Sequence, residues 1–152
     1  MPRHLTLAEL TAGIPEILAS PADNGILRAI VIRPEKKVRR DLDSCEISLA
    51  LGTHGDHWAR GCWKSAEDGQ PHPDVQICLM NARCIALIAG TRERWPLAGD
   101  NLFIDMDLTP GNLPPGARLA IGAGKKFRLR GIYARVVKDG RISAGDRVVK
   151  LA

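Results

Sequence analysis

The ten residues from Gly52 to Gly61, GTHGDHWARG, include several that can bind an anion or exchange a proton. Glycines such as Gly55 permit backbone angles that turn N–H groups toward a bound anion. Asp56 and His57 can orient a ligand or exchange protons, and Arg60 can pair with an oxyanion. The run therefore predicts an anion-binding loop. The equally weighted alternative is a glycine-rich turn in which Asp56 is a structural cap.

A second run, RLRGIYARV, begins at Arg128 and places arginines along a predicted strand. Arg128 and Arg130 share one strand face because successive side chains alternate. Gly131 has no side chain, so a ligand can approach the backbone closely there. Two guanidinium groups on one face can hold a phosphate or another oxyanion, and Arg130 is the first choice for this contact. Arg135 falls on the opposite face of a regular strand. The alternative is a solvated strand face.

The cysteines and histidines give weaker evidence for a catalytic or metal site. The four cysteines do not form the CxxC pairs of structural zinc sites. Cys62 follows HWARG in a predicted exposed loop, where a neighbouring arginine favours the reactive thiolate, so it is the candidate catalytic residue. Cys78 and Cys84 fall in apolar stretches and are predicted to be inert core residues. Several side chains are able to bind a metal, but their spacing does not repeat and no metal site is predicted: His54, Asp56, His57, Cys62 and His72.

Composition narrows the classes of ligand. The chain has 152 residues, a net charge of +5 and a pI of about 9.3, which fits nucleic acid or a small phosphorylated ligand. It has no lysine run and only three Trp, one Tyr and two Phe, so the sequence favours an anionic small molecule over a nucleic acid as ligand. Neither a signal peptide nor an apolar run of membrane-spanning length is recognisable, so we expect a cytoplasmic protein without membrane association.

Hydrophobic patterns predict a mainly β protein with short helices. Thr6 and Glu9 form a capping-box pattern that starts a helix, which Pro15 is expected to interrupt. A second short helix is predicted between Asn81 and Gly90. We expect an α+β fold, built on a β-barrel, in one domain spanning residues 1–152. β-Branched or alternating stretches bounded by Gly and Pro predict the strands: 26–33, 46–51, 75–80, 102–106 and 127–137.

Four stretches of the chain, in this order, resemble MOSC-domain proteins, a family named for the C-terminal domain of molybdenum-cofactor sulfurases. They are GTHGDHWARG, PHPDVQICLMNARCIALIAG, RERWPLAGDNLFIDMDLTPGNLPPGARLAIG and LRGIYARVVKDGRISAGDRV. The resemblance covers nearly the whole chain. Its most specific parts are the Gly-Asp of the first loop, the GDNL element and the strand that contains Arg130.

The resemblance implies a MOSC-like β-barrel that binds the molybdenum cofactor (molybdopterin) or a related anionic ligand. It also implies sulfur transfer through a cysteine persulfide or reduction of N-hydroxylated compounds, with a sulfur-donor or redox partner protein. Pyridoxal phosphate is associated with the family through a separate desulfurase domain, for which this chain has no room. Both opening runs belong to the ligand face of the family, so we expect Gly55–Arg60 and Arg128–Arg135 to line one positively charged cleft.

One departure from the family pattern concerns the sulfur carrier. The resemblance implies a strand, a reactive cysteine and a helical segment between LAIG and LRLRGI. Here Ala123–Phe127 alone fill that interval, and no cysteine follows Cys84. Two functions remain open. The chain is either a component of cofactor-linked sulfur transfer or reduction, or a non-catalytic anion-binding module that has lost the sulfur-carrying cysteine.

Overall fold

The computed structural model describes residues 3–123, 125–130 and 132–152, and it gives side chains for all of these except 125–130. Two α-helices, α1 (Leu7–Leu18) and α2 (Ala82–Ala89), accompany three short 3-10 helices at Trp58–Arg60, Pro73–Val75 and Arg92–Ala98. The remaining elements are strands: β1 (Gly25–Ile32), β2 (Arg40–Leu42), β3 (Ser44–Ser48), β4 (Gly52–Thr53), β5 (Ile77–Asn81), β6 (Leu102–Asp105), β7 (Arg118–Ile121), β8 (Lys125–Arg130), β9 (Tyr133–Lys138), β10 (Gly140–Ser143) and β11 (Arg147–Leu151).

The main sheet curls back on itself. Its eight strands follow the order β11-β7-β8-β9-β5-β6-β1-β2, and β1 also pairs with β11. Gly25 lies opposite Val148 at this closure, while the later residues of β1 pair with β6 and β2. β5 and β6 are parallel, with α2 between them, and the other neighbours are antiparallel. A second sheet of three strands has the order β10-β3-β4. The fold is therefore α+β and barrel-like.

Strand β1 contributes to two apolar clusters, one on each face, and its register shifts at Arg28. Leu27 and Ile30 point into the barrel, where they join a cluster that includes Leu102 and Ile104. Ala29 and Val31 point outward and pack against Phe103 and α2. A strand without the irregularity would put residues 27 and 29 on the same face, since side chains alternate. The bulge thus places Leu27 on the inner face with Ile30, while Ala29 and Val31 face α2 outside the barrel.

The helices begin where the sequence predicts. Thr6 and Glu9 make the reciprocal bonds of a capping box, and Asn81 Oδ1 accepts from Cys84 N at the start of α2. The expectation that Pro15 interrupts the first helix is wrong, because α1 continues through it to Leu18. Proline removes one backbone donor from a helix. The carbonyl that loses this donor belongs to the exposed Thr11, where water can hydrate it.

The predicted strand 127–137 is two strands in the structure. β8 and β9 form a hairpin in which Arg128 lies opposite Arg135 and Arg130 lies opposite Tyr133. The expectation that Arg135 occupies the opposite face of the same strand therefore fails, because Arg135 belongs to the returning strand. On its other side, β8 pairs with β7 from Arg118↔Arg128 to Ile121↔Lys125. The short Ala123–Phe127 interval thus leads directly from one strand to the next.

Among the described residues, no helix is both long enough and apolar enough to cross a membrane. The second α-helix instead has one buried and one exposed side. Ile85 is 4% exposed and packs in the outer apolar cluster, whereas Ile88 is 59% exposed.

We predict that Ile85→Ala lowers the free energy of unfolding by about 2–4 kcal/mol, since it removes buried methyl groups and leaves a cavity. Ile88→Ala is the matched control on the same helix, and we expect it to change this free energy by less than about 0.5 kcal/mol. Urea unfolding followed by circular dichroism measures both. Equal losses in the two variants would contradict the packing described for α2.

Candidate functional site

A buried ion pair joins the end of β1 to the glycine-rich loop. Arg33 Nε lies 3.1 Å from Asp56 Oδ1, and Arg33 Nη2 lies 2.9 Å from Asp56 Oδ2. The backbone N–H of Arg33 also donates to Asp56 Oδ1, at 2.6 Å. The Asp56 side chain is fully buried and that of Arg33 is 15% exposed. Two parallel bonds of this kind fix both the distance and the orientation of the two groups.

Asn101, in the predicted GDNL element, completes the network. Its Oδ1 accepts from Arg33 Nη2 at 3.2 Å and from the backbone N–H of Cys78 at 3.0 Å. Its Nδ2 donates to Asp56 Oδ1 at 3.2 Å and to the carbonyl oxygen of Val31 at 3.1 Å. The side chain is completely buried. This single amide therefore ties the loop to strands β1 and β5.

The Arg33 guanidinium has no N–H left for a ligand. Its five donors are those of every arginine. Three go to Asp56 and Asn101, as described, and Nη1 donates to Gly99 O at 3.1 Å and to Cys78 Sγ at 3.8 Å. Because each donor is engaged and the charge is paired, Arg33 organises the site and does not supply its anion-binding charge.

The ionisation of this pair follows from its surroundings. Burial alone raises the pKa of Asp56, but the hydrogen bonds and charge of Arg33 outweigh it and hold the pKa below its usual value. Burial lowers the pKa of Arg33, and the bonds and charge of Asp56 more than offset this and raise it. Both groups are therefore charged at neutral pH.

A small cavity lies beside this network. It has a volume of about 190 Å³ and opens between the loop that follows Asp56 and strand β5. Two thiols, two indole rings and an imidazole form most of its wall. The lining residues are Arg33, His57, Trp58, Gly61, Cys62, Trp63, Val75 and Cys78.

Most of the predicted loop residues hold the loop, and His57 faces the cavity. Gly55 has a φ of 89°, and a Cβ there would meet Ile32 Cδ1 at 2.9 Å, so the turn requires glycine. Asp56 Oδ2 accepts from Trp58 N at 3.4 Å, which is the loop-capping role that the sequence suggests. The guanidinium of Arg60 donates to the carbonyl oxygen of Pro34. His57 Nδ1 lies 3.7 Å from Asp56 Oδ2 and makes no hydrogen bond.

The arginine-rich hairpin reaches the same side of the molecule. The rings of Trp63 and Tyr133 are in contact, with centroids 6.2 Å apart. Tyr133 is paired on one side with Cys78 of β5 and on the other with Arg130 of β8. Positions 78, 133 and 130 thus form a row across three adjacent strands, which places the Arg130 backbone about 10 Å from that of Cys78.

Of the other arginine side chains predicted to contact a ligand from this hairpin, the structure describes that of Arg135. Arg135 Nη1 lies 3.3 Å from Asp74 Oδ1 and is paired there. The side chains of Arg128 and Arg130, and Gly131 as a whole, lie outside what the structure describes. Their assignment to the ligand face therefore stays a prediction.

The other two side chains that are able to bind a metal, His54 and His72, are engaged elsewhere. His54 Nε2 lies 3.0 Å from Ser48 Oγ, and His72 Nδ1 accepts from the backbone N–H of Asp74. Within the described part of the chain, no three His, Cys, Asp or Glu side chains are grouped so that they could hold a metal ion.

Sequence reasoning missed two contributors to this site. Cys78 was predicted to be an inert core residue, yet its thiol lies on the cavity wall. The alternation of side chains along β5 could have revealed this position. Ile77 and Leu79 face the barrel core, so Cys78 lies on the other face. Burial raises the pKa of the Cys78 thiol, although the charge of Arg33 opposes this. Arg33 was missed because its partners are distant in sequence.

Comparisons with known proteins support the fold. No protein-family model and no curated protein matches the sequence. The YuaD protein from Bacillus subtilis has a similar structure, with a TM-score of 0.59 and 19% identity, over 82% of this chain and 94% of that one. YiiM from Escherichia coli has a TM-score of 0.52 and 14% identity, over 84% and 70%. A hypothetical protein has a TM-score of 0.56 and 14% identity, over 89% and 71%. At these identities the likeness concerns the fold alone.

We predict that Asp56→Ala lowers the free energy of unfolding by about 3–5 kcal/mol at neutral pH, because it leaves the Arg33 charge buried without a partner. Urea unfolding measures the change. Asp68→Ala removes an exposed loop carboxylate and serves as the control. A loss below about 1 kcal/mol in Asp56→Ala would mean that the pair does not hold the loop.

The lowered pKa of Asp56 also predicts a dependence on acid. The folded state binds this proton less readily than the unfolded chain, where the pKa is about 3.9. The stabilisation is therefore complete above that value and is lost as the pH falls toward the lower folded pKa. We expect urea midpoints measured from about pH 7 to about pH 3 to fall less steeply for Asp56→Asn than for the native protein. Parallel curves would contradict the assignment.

Proposed function

We propose that this protein is a MOSC-type domain that binds a small oxyanion, or the anionic end of the molybdenum cofactor, beside a pair of thiols and acts in sulfur transfer. The observation that carries the proposal is the row formed by Cys78, Tyr133 and Arg130, which sets an arginine-bearing strand beside a thiol-lined cavity. The sequence resemblance and the MOSC-type neighbours support the same class.

The size of the cavity limits what it can enclose. At about 190 Å³ it is smaller than the roughly 300–1,000 Å³ typical of cavities that bury a drug-sized ligand. It therefore fits an oxyanion or one end of the molybdenum cofactor, and the rest of the cofactor would lie outside, along the β8–β9 hairpin. When bound, the cofactor would supply the metal centre at which sulfur or oxygen is exchanged.

The charge for anion binding has to come from beyond Arg33, whose donors are engaged. The proposal assigns the first contact to Arg130, with Arg128 as a supporting charge. Arg60 does not line the cavity, and its guanidinium donates to the carbonyl oxygen of Pro34. Arg135 contributes less in this arrangement, because it is paired with Asp74. Guanidinium groups suit this role because they remain charged and present two parallel donors to an oxyanion.

The thiols supply the group-transfer chemistry. In the proposed step, a cysteine thiolate attacks the terminal sulfur of a donor persulfide. A new S–S bond forms on the protein, the S–S bond of the donor breaks, and the donor leaves as a thiolate. Cys62 is the proposed carrier, since burial raises the pKa of Cys78 and disfavours its thiolate. His57 lines the same cavity and is the proposed acceptor of the thiol proton.

A non-catalytic anion-binding module is the second candidate. It is favoured by the direct β7–β8 connection, which replaces the segment that carries the cysteine in the resembling family. Such a module would keep the oxyanion contact and would form no persulfide. The two candidates therefore differ in a measurable covalent product.

We predict that Arg130→Ala weakens the binding of molybdate or phosphate about tenfold, as the loss of a charge-assisted contact does. Calorimetry at low salt measures the affinity, and high salt should reduce the difference by screening exposed charges. Arg40→Ala, on the exposed strand β2, is the control for net charge. Equal affinities in Arg130→Ala and the native protein would overturn the anion-binding assignment.

For the thiols, we predict that incubation with a small-molecule persulfide donor adds one sulfur atom to the native protein and to Cys78→Ser, and none to Cys62→Ser. Intact-protein mass spectrometry, followed by peptide mapping, locates the addition. Cys84→Ser is the control for an unrelated half-buried thiol. Retained anion binding without sulfur addition in the native protein would select the non-catalytic module.

A further inference from the structure

A second and larger cavity lies where β5 ends and α2 begins. Its volume is about 470 Å³, within the roughly 300–1,000 Å³ range of small-molecule sites. Its walls come from the end of α1, the junction of β5 and α2, the segment after β6 and Ile132, the residue before β9. As described, it shares no lining residue with the thiol-lined cavity.

The walls of this cavity are mostly apolar. Ile17, Leu79 and Leu108 form its sides, and Leu18 and Ile132 stand at its edge. The last two are 75% and 55% exposed, which is high for large apolar side chains. A ligand that covers them would remove apolar surface from water, and this favours binding. The shape and lining suit one compact apolar group, such as a single ring.

One charged group in the wall has no charged partner. Asp107 Oδ1 accepts from Thr109 N at 2.9 Å, and no hydrogen bond or ion pair is made by Asp107 Oδ2 in the described structure. Asp105, two residues earlier, differs from it because Arg28 and Arg83 both pair with that carboxylate. A half-buried carboxylate at the edge of an apolar cavity attracts a cation that can donate hydrogen bonds.

The other polar groups of the wall are already satisfied. The two N–H groups of Asn81 donate to Ser20 Oγ and to the carbonyl oxygen of Met106, and its Oδ1 accepts from Cys84 N. Burial raises the pKa of the Cys84 thiol, so Cys84 is a neutral part of the wall. Asp107 is therefore the group that sets the charge of a ligand.

We propose that this cavity binds a small organic cation, namely an amine attached to one apolar ring. The ammonium group contacts Asp107 Oδ2, and the ring lies against Leu79, Leu108 and Ile132. The site is distinct from the proposed anion site, so either assignment can fail without the other.

Benzylamine is the probe, and benzyl alcohol is its neutral counterpart of nearly equal shape. We expect millimolar benzylamine to shift the NMR signals of the cavity residues of the native protein, with benzyl alcohol binding more weakly. Asp107→Asn keeps the acceptor for Thr109 N and removes the charge. It should weaken benzylamine about tenfold, as expected for a charge-assisted bond, and leave benzyl alcohol unchanged.

Asp43→Asn removes the same charge from the exposed turn between β2 and β3 and should leave benzylamine affinity unchanged. Ile132→Ser should weaken both probes, since it removes apolar contact at an exposed position. The proposal is overturned if benzylamine does not bind, if its shifts lie outside the cavity, or if Asp43→Asn and Asp107→Asn weaken it equally. It is also overturned if a second copy covers this face, which sedimentation would reveal as a dimer that Ile132→Ser dissociates.

Discussion

The buried contact between Arg33 and Asp56 is the interaction on which the glycine-rich loop depends. The Asp56 side chain is fully buried and charged, so it must lie next to Arg33, which neutralises the charge. This requirement fixes the position of the loop. Asn101 extends the contact to β5, because its amide bonds both members of the pair and the backbone of Cys78. The strand that forms one wall of the thiol-lined cavity and the loop that forms the other are therefore fixed to the same three side chains.

Local sequence patterns were sufficient for both α-helices and for strands β1, β5 and β6. Thr6 with Glu9 and Asn81 with Gly90 marked the helices through caps that act within a few residues. The failures concern contacts that no local pattern contains. Arg33 meets Asp56 across 23 positions and Asn101 across 68, so hydrophobic periodicity cannot reveal their network. The hairpin between Arg130 and Tyr133 was missed because both of its strands have the same β-forming composition, and the alternation continues through the turn.

The two cavities use charge in opposite ways. At the smaller one, the charge of Arg33 is paired with Asp56 and its hydrogen-bond donors are used within the protein. In the larger one, Asp107 keeps one oxygen without a partner beside apolar walls. Strand β5 contributes to both cavities, since Cys78 lines the smaller one and residues 79–81 line the larger one. A change in the position of this strand would therefore alter both sites.

The pairing of β1 with β11 has a consequence for the order of folding. Gly25 and Val148 are neighbours in the closed barrel although almost the whole sequence lies between them. Contacts of such long sequence separation form slowly, because a large loop must close before they stabilise the chain. On the ribosome, β1 through β9 can emerge and pair while the barrel is still open. Until β11 is available, the start of β1 has an unpaired edge, and this segment is then exposed to pairing with another molecule.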